Sequence, residues 1–154
     1  LALLNYFPGV DGPVIRKGLA ERRGRDVGRI RPVGKAMAFC IDMVEDTVLA
    51  ATSSSIECDA LATASEGRDT ISVLLVVKTP RERSIDLAVT GGWSSLDTLT
   101  RTVTVLDSTC RRNVVATETL TGADQVVSTL HTSAPALYCV RYVRRPRKGA
   151  KQSK

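Results

Sequence analysis

Histidine occurs once in this 154-residue chain, and aromatic residues make up only 4% of it: one Trp, three Tyr and two Phe. Each scarcity excludes something. The lone His131, in the strand-like stretch STLHTSA, reads as a surface or packed side chain rather than a catalyst. No G-x-S-x-G turn offers it a nucleophilic serine. GRDVG and TGGWSS lack the Lys and the spacing of a phosphate-cradling loop. The acid pairs Glu45-Asp46 and Glu57-Asp59 sit in polar, turn-like surroundings and read as solvated loop carboxylates. The sequence therefore indicates no catalytic residue, no enzyme and no cofactor.

Long apolar runs are also missing. No stretch of about 18 apolar residues exists, so nothing reads as a membrane-spanning helix. LALLNYF is too short for a signal-peptide core with its flanks. The chain opens on Leu1, which reads as a processed or truncated product. No Asn-x-Ser/Thr acceptor occurs, which disfavours a glycosylated secreted protein. The four cysteines, Cys40, Cys58, Cys110 and Cys139, contain no C-x-x-C pair. A zinc site would need four separate strands to converge. The plainest reading is buried free thiols acting as small apolar residues. The alternative is two disulfides in one of three connectivities, with Cys40 and Cys139 drawn together by terminal strand pairing.

What the chain does have is a body of short strands. With 43% hydrophobic residues and few rings, its core must be built from Val, Leu, Ile and Ala. DTISVLLVVK reads as a buried central strand. SIDLAVT, LTRTVTVLD, NVVATETLT, QVVSTLHTS and ALYCVRYVRR alternate apolar with polar residues and stop at turn residues. AMAFCIDMV alternates weakly, and DTVLAATSSSIEC is rich in β-branched and small residues. IDMVEDTVLAA and CDALATASEG can each be read as a short helix instead. The expected fold is all-β: a single β-sandwich or jelly roll of about eight strands with one or two short helices, flanked by extended basic arms. Residues 1–35 form the first arm, 36–143 the sandwich and 144–154 the basic tail. Within GGWSS, Trp93 reads as a plug at one end of the sandwich, with Gly91-Gly92 as the turn. The alternative is an exposed platform for stacking a base.

Charge is the strongest signal. The net charge is +6, and the basic residues crowd into the two ends, leaving an acidic middle. Arg16, Lys17, Arg22, Arg23, Arg25, Arg29, Arg31 and Lys35 lie in the first arm among glycines. Arg144, Arg145, Arg147, Lys148 and Lys151 lie in the tail. Such arms bury little apolar area and read as extended contacts for a polyanion. These thirteen residues are the expected nucleic-acid contacts, non-specific and through phosphates, with RNA the expected partner. The layout resembles a viral capsid subunit sending basic arms to its genome. A ribosome-type RNA-binding protein is the alternative, and an extracytoplasmic, disulfide-bonded sandwich that binds a partner is a third. The expected partners are nucleic acid and copies of itself or other assembly proteins. The expected location is a virion or intracellular nucleoprotein particle, or outside the cytoplasm if the cysteines are paired.

Overall fold

The computed structural model describes residues 30–133 and 135–145. The chain divides into two units, Leu1–Asp42 and Met43–Lys154. The first holds helix α1 (Pro32–Met43), whose last residue opens the second. AMAFCIDMV, read above as a weak strand, is therefore mostly helical. Pro32 stands at the first helical position, where its missing N–H costs nothing and its fixed φ suits a helix. Phe39 and Met43, four residues apart and so on one helix face, are the buried side chains of the segment.

The second unit is the expected sandwich. Its strands are β1 (Thr47–Leu49), β2 (Cys58–Ala64), β3 (Thr70–Val77), β4 (Arg83–Thr90), β5 (Thr98–Leu106), β6 (Arg112–Thr121), β7 (Gln125–Thr132) and β8 (Ala136–Arg145). CDALATASEG is thus strand β2 and its following turn, not a helix. One six-stranded sheet runs β1-β2-β3-β8-β5-β6, and a two-stranded sheet pairs β4 with β7. Every pairing is antiparallel. The chain crosses between sheets on entering and on leaving both β4 and β7, so neighbours in the small sheet are far apart in sequence.

The core follows from register. Opposite residues in antiparallel strands share a face. Val73, Val140 and Val103 are aligned across β3, β8 and β5, with Ile71, Tyr142 and Arg101 in the next row. Leu87, Val89, Val126 and Leu130 of the small sheet pack on this face in one apolar cluster. On β2 the inward row is Cys58, Ala60, Ala62 and Ala64, all small residues. At one end Trp93 is 3% exposed. Its indole N–H donates to the Arg68 carbonyl at 3.2 Å, and its ring lies 6.0 Å from that of Tyr142. Gly91 is required there, because a Cβ would collide with the indole 2.5 Å away. Gly92 makes the turn at φ +69°. The plug reading of Trp93 stands, and its burial leaves no exposed platform for a base. The four cysteines are free thiols. Burial pushes the Cys139 thiol up to about 11 and raises those of Cys40 and Cys58.

Candidate functional site

Among the described residues, two depressions and a half-buried ion pair gather polar groups on the sandwich. The first depression is an open cleft of about 440 Å³ where β4 begins and β7 ends, lined by Glu82, Arg83, Ser84, His131, Thr132 and Ser133. Register builds it: Ser84 stands directly opposite His131, and Arg83 opposite Thr132. The Ser84 hydroxyl and His131 Nδ1 are 3.0 Å apart and share a hydrogen bond. One residue pair along the same outward face, the Thr129 hydroxyl donates to Asp86 at 2.8 Å. Arg83 is held by an ion pair with Glu57. The cleft thus offers hydroxyls, an imidazole, a guanidinium and the Glu82 carboxyl, all able to bond hydroxyl groups of a ligand.

The second depression follows the flank of β4. Two cavities of about 350 and 380 Å³ share Thr52, Ala60, Asp86 and Leu87, so they form one groove. One wall is β4 and the other is the segment after β1. Its floor includes the small residues Ala60 and Ala62 and, from β3, Val73 and Leu75. Small side chains on β2 leave the space that larger ones would fill.

Between the sheets, Arg101 has a side chain only 5% exposed. It pairs with Glu118 of β6 and donates to the Thr129 carbonyl of β7 at 3.0 Å. Tyr142 and Ser128 share a 2.6 Å hydrogen bond across the same gap. On the other face of the large sheet, Glu45 accepts from the Ser72 hydroxyl at 2.9 Å and pairs with Arg141 at 2.8 Å. The nearby Cys139 thiol is pushed up to about 11, first by burial, with Arg141 acting in the opposite sense. Buried and protonated, it is no nucleophile.

Of the thirteen basic residues expected to bind nucleic acid, four lie among the described residues. Arg144 and Arg145 are strand residues of β8. Arg144 pairs with Asp69, and Arg145 donates to the Thr100 hydroxyl at 2.7 Å. Arg31 and Lys35 lie at the start of α1, where the Lys35 amide donates to the Arg31 carbonyl at 3.0 Å. Arg16, Lys17, Arg22, Arg23, Arg25, Arg29, Arg147, Lys148 and Lys151 lie outside the described residues. Sequence reasoning missed Glu82, Arg83 and Ser84 as cleft residues and set His131 aside. The signal is not local, since Ser84 and His131 are 47 positions apart. Among the described residues no cluster of metal-ligating side chains occurs, and no helix is long and apolar enough to cross a membrane.

The sequence matches no protein-family model and no curated protein. Solved structures do share the fold. A glucosidase from Croceicoccus marinus is 12% identical with a TM-score of 0.59, over 86% of this chain and 35% of its own. A glycoside hydrolase family 30 endoxylanase from Clostridium papyrosolvens is 12% identical with a TM-score of 0.59, over 85% and 31%. A family 44 xyloglucanase from Paenibacillus polymyxa is 15% identical with a TM-score of 0.51, over 66% and 20%. The chain therefore spans only 20% to 35% of the length of these enzymes.

These likenesses correct the functional expectation. The neighbours are glycoside-cleaving enzymes, so the capsid, virion and RNA-binding reading is overturned, together with its ribosome-type alternative. The expectation that the chain is no enzyme is overturned on the same ground. The error has a physical cause. Charge distribution bears on partners and solubility but does not encode a fold, and two of the arginines assigned to the tail belong to a strand.

Proposed function

We propose that the chain is the β-sandwich part of a larger carbohydrate-active enzyme, a glycoside hydrolase, and that it touches a saccharide through the Ser84–His131 cleft. The observation that carries this reading is the shared fold: most of this chain superposes on part of each of two glycoside-cleaving enzymes with a TM-score of 0.59. The cleft supplies the chemistry. Sugar hydroxyls both donate and accept hydrogen bonds, and here they meet donors and acceptors already fixed by ladder register. Ser84 is oriented by His131, and Arg83 by Glu57. Glycosidic cleavage uses two carboxyl groups flanking the scissile bond. Glu82 is the carboxyl among the cleft-lining residues. In this reading the cleft holds a saccharide, and the reaction is that of the larger enzyme.

The test is titration of the isotope-labelled chain with xylohexaose and with cellohexaose, followed by NMR. The expected result is movement of the Ser84 and His131 signals on addition of at least one of them, and about tenfold weaker binding for His131→Ala. Signals that stay fixed with both sugars would remove the cleft from the proposal.

A further inference from the structure

We infer that the groove along β4 is a seat for an extended polypeptide strand from a partner protein, which enters as a third strand of the small sheet. Three observations converge on it. The large sheet has six strands and the small one two, so the small sheet leaves inward-facing positions of β2 and β3 as the floor of a groove. Among the described residues β4 pairs with β7 alone, and none of them forms a ladder with the backbone N–H and C=O groups of its other edge. Finally, the groove follows β4 from Arg83 to Thr90, the full length of the strand.

An occupant must therefore do two things. It must alternate donors and acceptors along its length to match the edge of β4, and it must place small apolar groups over Ala60 and Ala62. An extended peptide does both, by the strand-addition mode of recognition. A saccharide supplies hydroxyls but no such ladder, and among the described residues no aromatic ring lines the groove for it to stack on.

Register also sets the occupant's sequence. Ile85, Leu87 and Val89 face inward, so residues opposite them in an added strand face inward too and must be apolar. Asp86 faces outward and is exposed. Its carboxylate accepts from the Thr129 hydroxyl on the β7 side, so a Lys or Arg opposite it on the open side would form a favourable cross-strand pair. The fitting segment alternates apolar and polar residues and carries a cation near its middle.

The experiment is selection of a displayed random-octapeptide library on the full chain, followed by hydrogen exchange with a selected synthetic peptide bound. The expected peptides alternate apolar and polar residues around a central Lys or Arg, and they slow exchange of the β4 amides. Ala62→Phe, which fills the groove, should weaken them at least tenfold. Asp86→Lys exchanges an exposed side chain, giving up only its bond from the Thr129 hydroxyl, and should turn the central preference from basic to acidic. Three results would each overturn the inference: no enrichment over the Ala62→Phe protein, protection that falls on β6 instead of β4, or an unchanged central preference in Asp86→Lys. Protection by xylohexaose of the Leu87–Thr90 amides, beyond the Ser84–His131 cleft, would also overturn it, by making the groove a saccharide site.

Discussion

The large and small sheets of the sandwich differ in how many of their faces are covered. In β3 both faces are largely buried: Ile71, Val73 and Leu75 on the core side, and Ser72 and Leu74 on the other. In β4 only the inward row of Leu87 and Val89 is buried, while Ser84, Asp86, Ala88 and Thr90 meet solvent. The two sequences record this directly. DTISVLLVVK is an almost unbroken apolar run, whereas SIDLAVT alternates. A strand's pattern therefore reports how many of its faces are covered as well as that it is a strand. The small sheet is the more open element, and both depressions are built on it.

The sharpest break in this comparison should come in the core-facing row of the large sheet. Leu99 is fully buried, and Leu99→Ala is expected to cost about 2–5 kcal/mol in urea unfolding. Val114→Ala on the edge strand β6, where the side chain is 64% exposed, should stay within about 0.5 kcal/mol. If the two cost the same, stability does not concentrate where burial does.

The link between the sheets comes next. Glu118→Ala leaves the Arg101 guanidinium buried with its bond to the Thr129 carbonyl but without its counter-charge. Because Glu118 is itself 46% exposed, the expected loss is about 1–3 kcal/mol, below that of a fully buried pair. Combining it with Arg101→Met should recover part of that loss, read from the same unfolding curves in a double-mutant cycle. Tyr142→Phe removes the bond to Ser128 and should cost roughly 1–2 kcal/mol. Faster amide exchange in β7 than in β3 of that variant would show that this hydroxyl pair holds the small sheet down.

The smallest effects are expected at the hairpin joining β5 to β6. Cys110 has φ +58°, a left-handed conformation that glycine adopts without strain. Cys110→Gly should raise the melting temperature slightly, by the equivalent of about 0.5–1 kcal/mol. In the same turn Asp107 accepts bonds from the Thr109 hydroxyl, the Thr109 amide and the Arg111 amide. These hold its carboxyl below the usual range, the Thr109 hydroxyl foremost. A carboxyl whose pKa is lowered in the folded state adds stability above its unfolded value and loses it as pH falls through the folded one. Exchange of the Thr109 and Arg111 amides should therefore quicken below about pH 4, while β3 amides stay protected.

Much of the fold was legible because it is written in local pattern. The runs in β3 and β8, the alternation of β4 and β7 and the stop at Gly91-Gly92 each need only a few adjacent residues to be read. The segment from Ala36 to Val44 was misread because its apolar residues suit a weak strand alternation as well as a helix. Pro32, the residue that starts the helix, fell inside the presumed arm. The cleft and groove were not legible at all. Ser84 meets His131, and Asp86 comes to line one groove with Ala60, only through pairings and sheet packing between distant segments. Net charge drew attention to the ends of the chain, whereas the described polar sites are assembled from side chains of both signs.

The plug at the end of the sandwich has an optical consequence. Trp93 is the only tryptophan in the chain, and it sits out of water with its N–H engaged and a tyrosine ring 6.0 Å away. All indole emission therefore reports one place. In the folded chain it should be blue-shifted and fed by energy transfer from Tyr142, and both properties vanish when that end of the sandwich opens. The molecule carries its own fluorescent gauge, with no label needed to follow its opening.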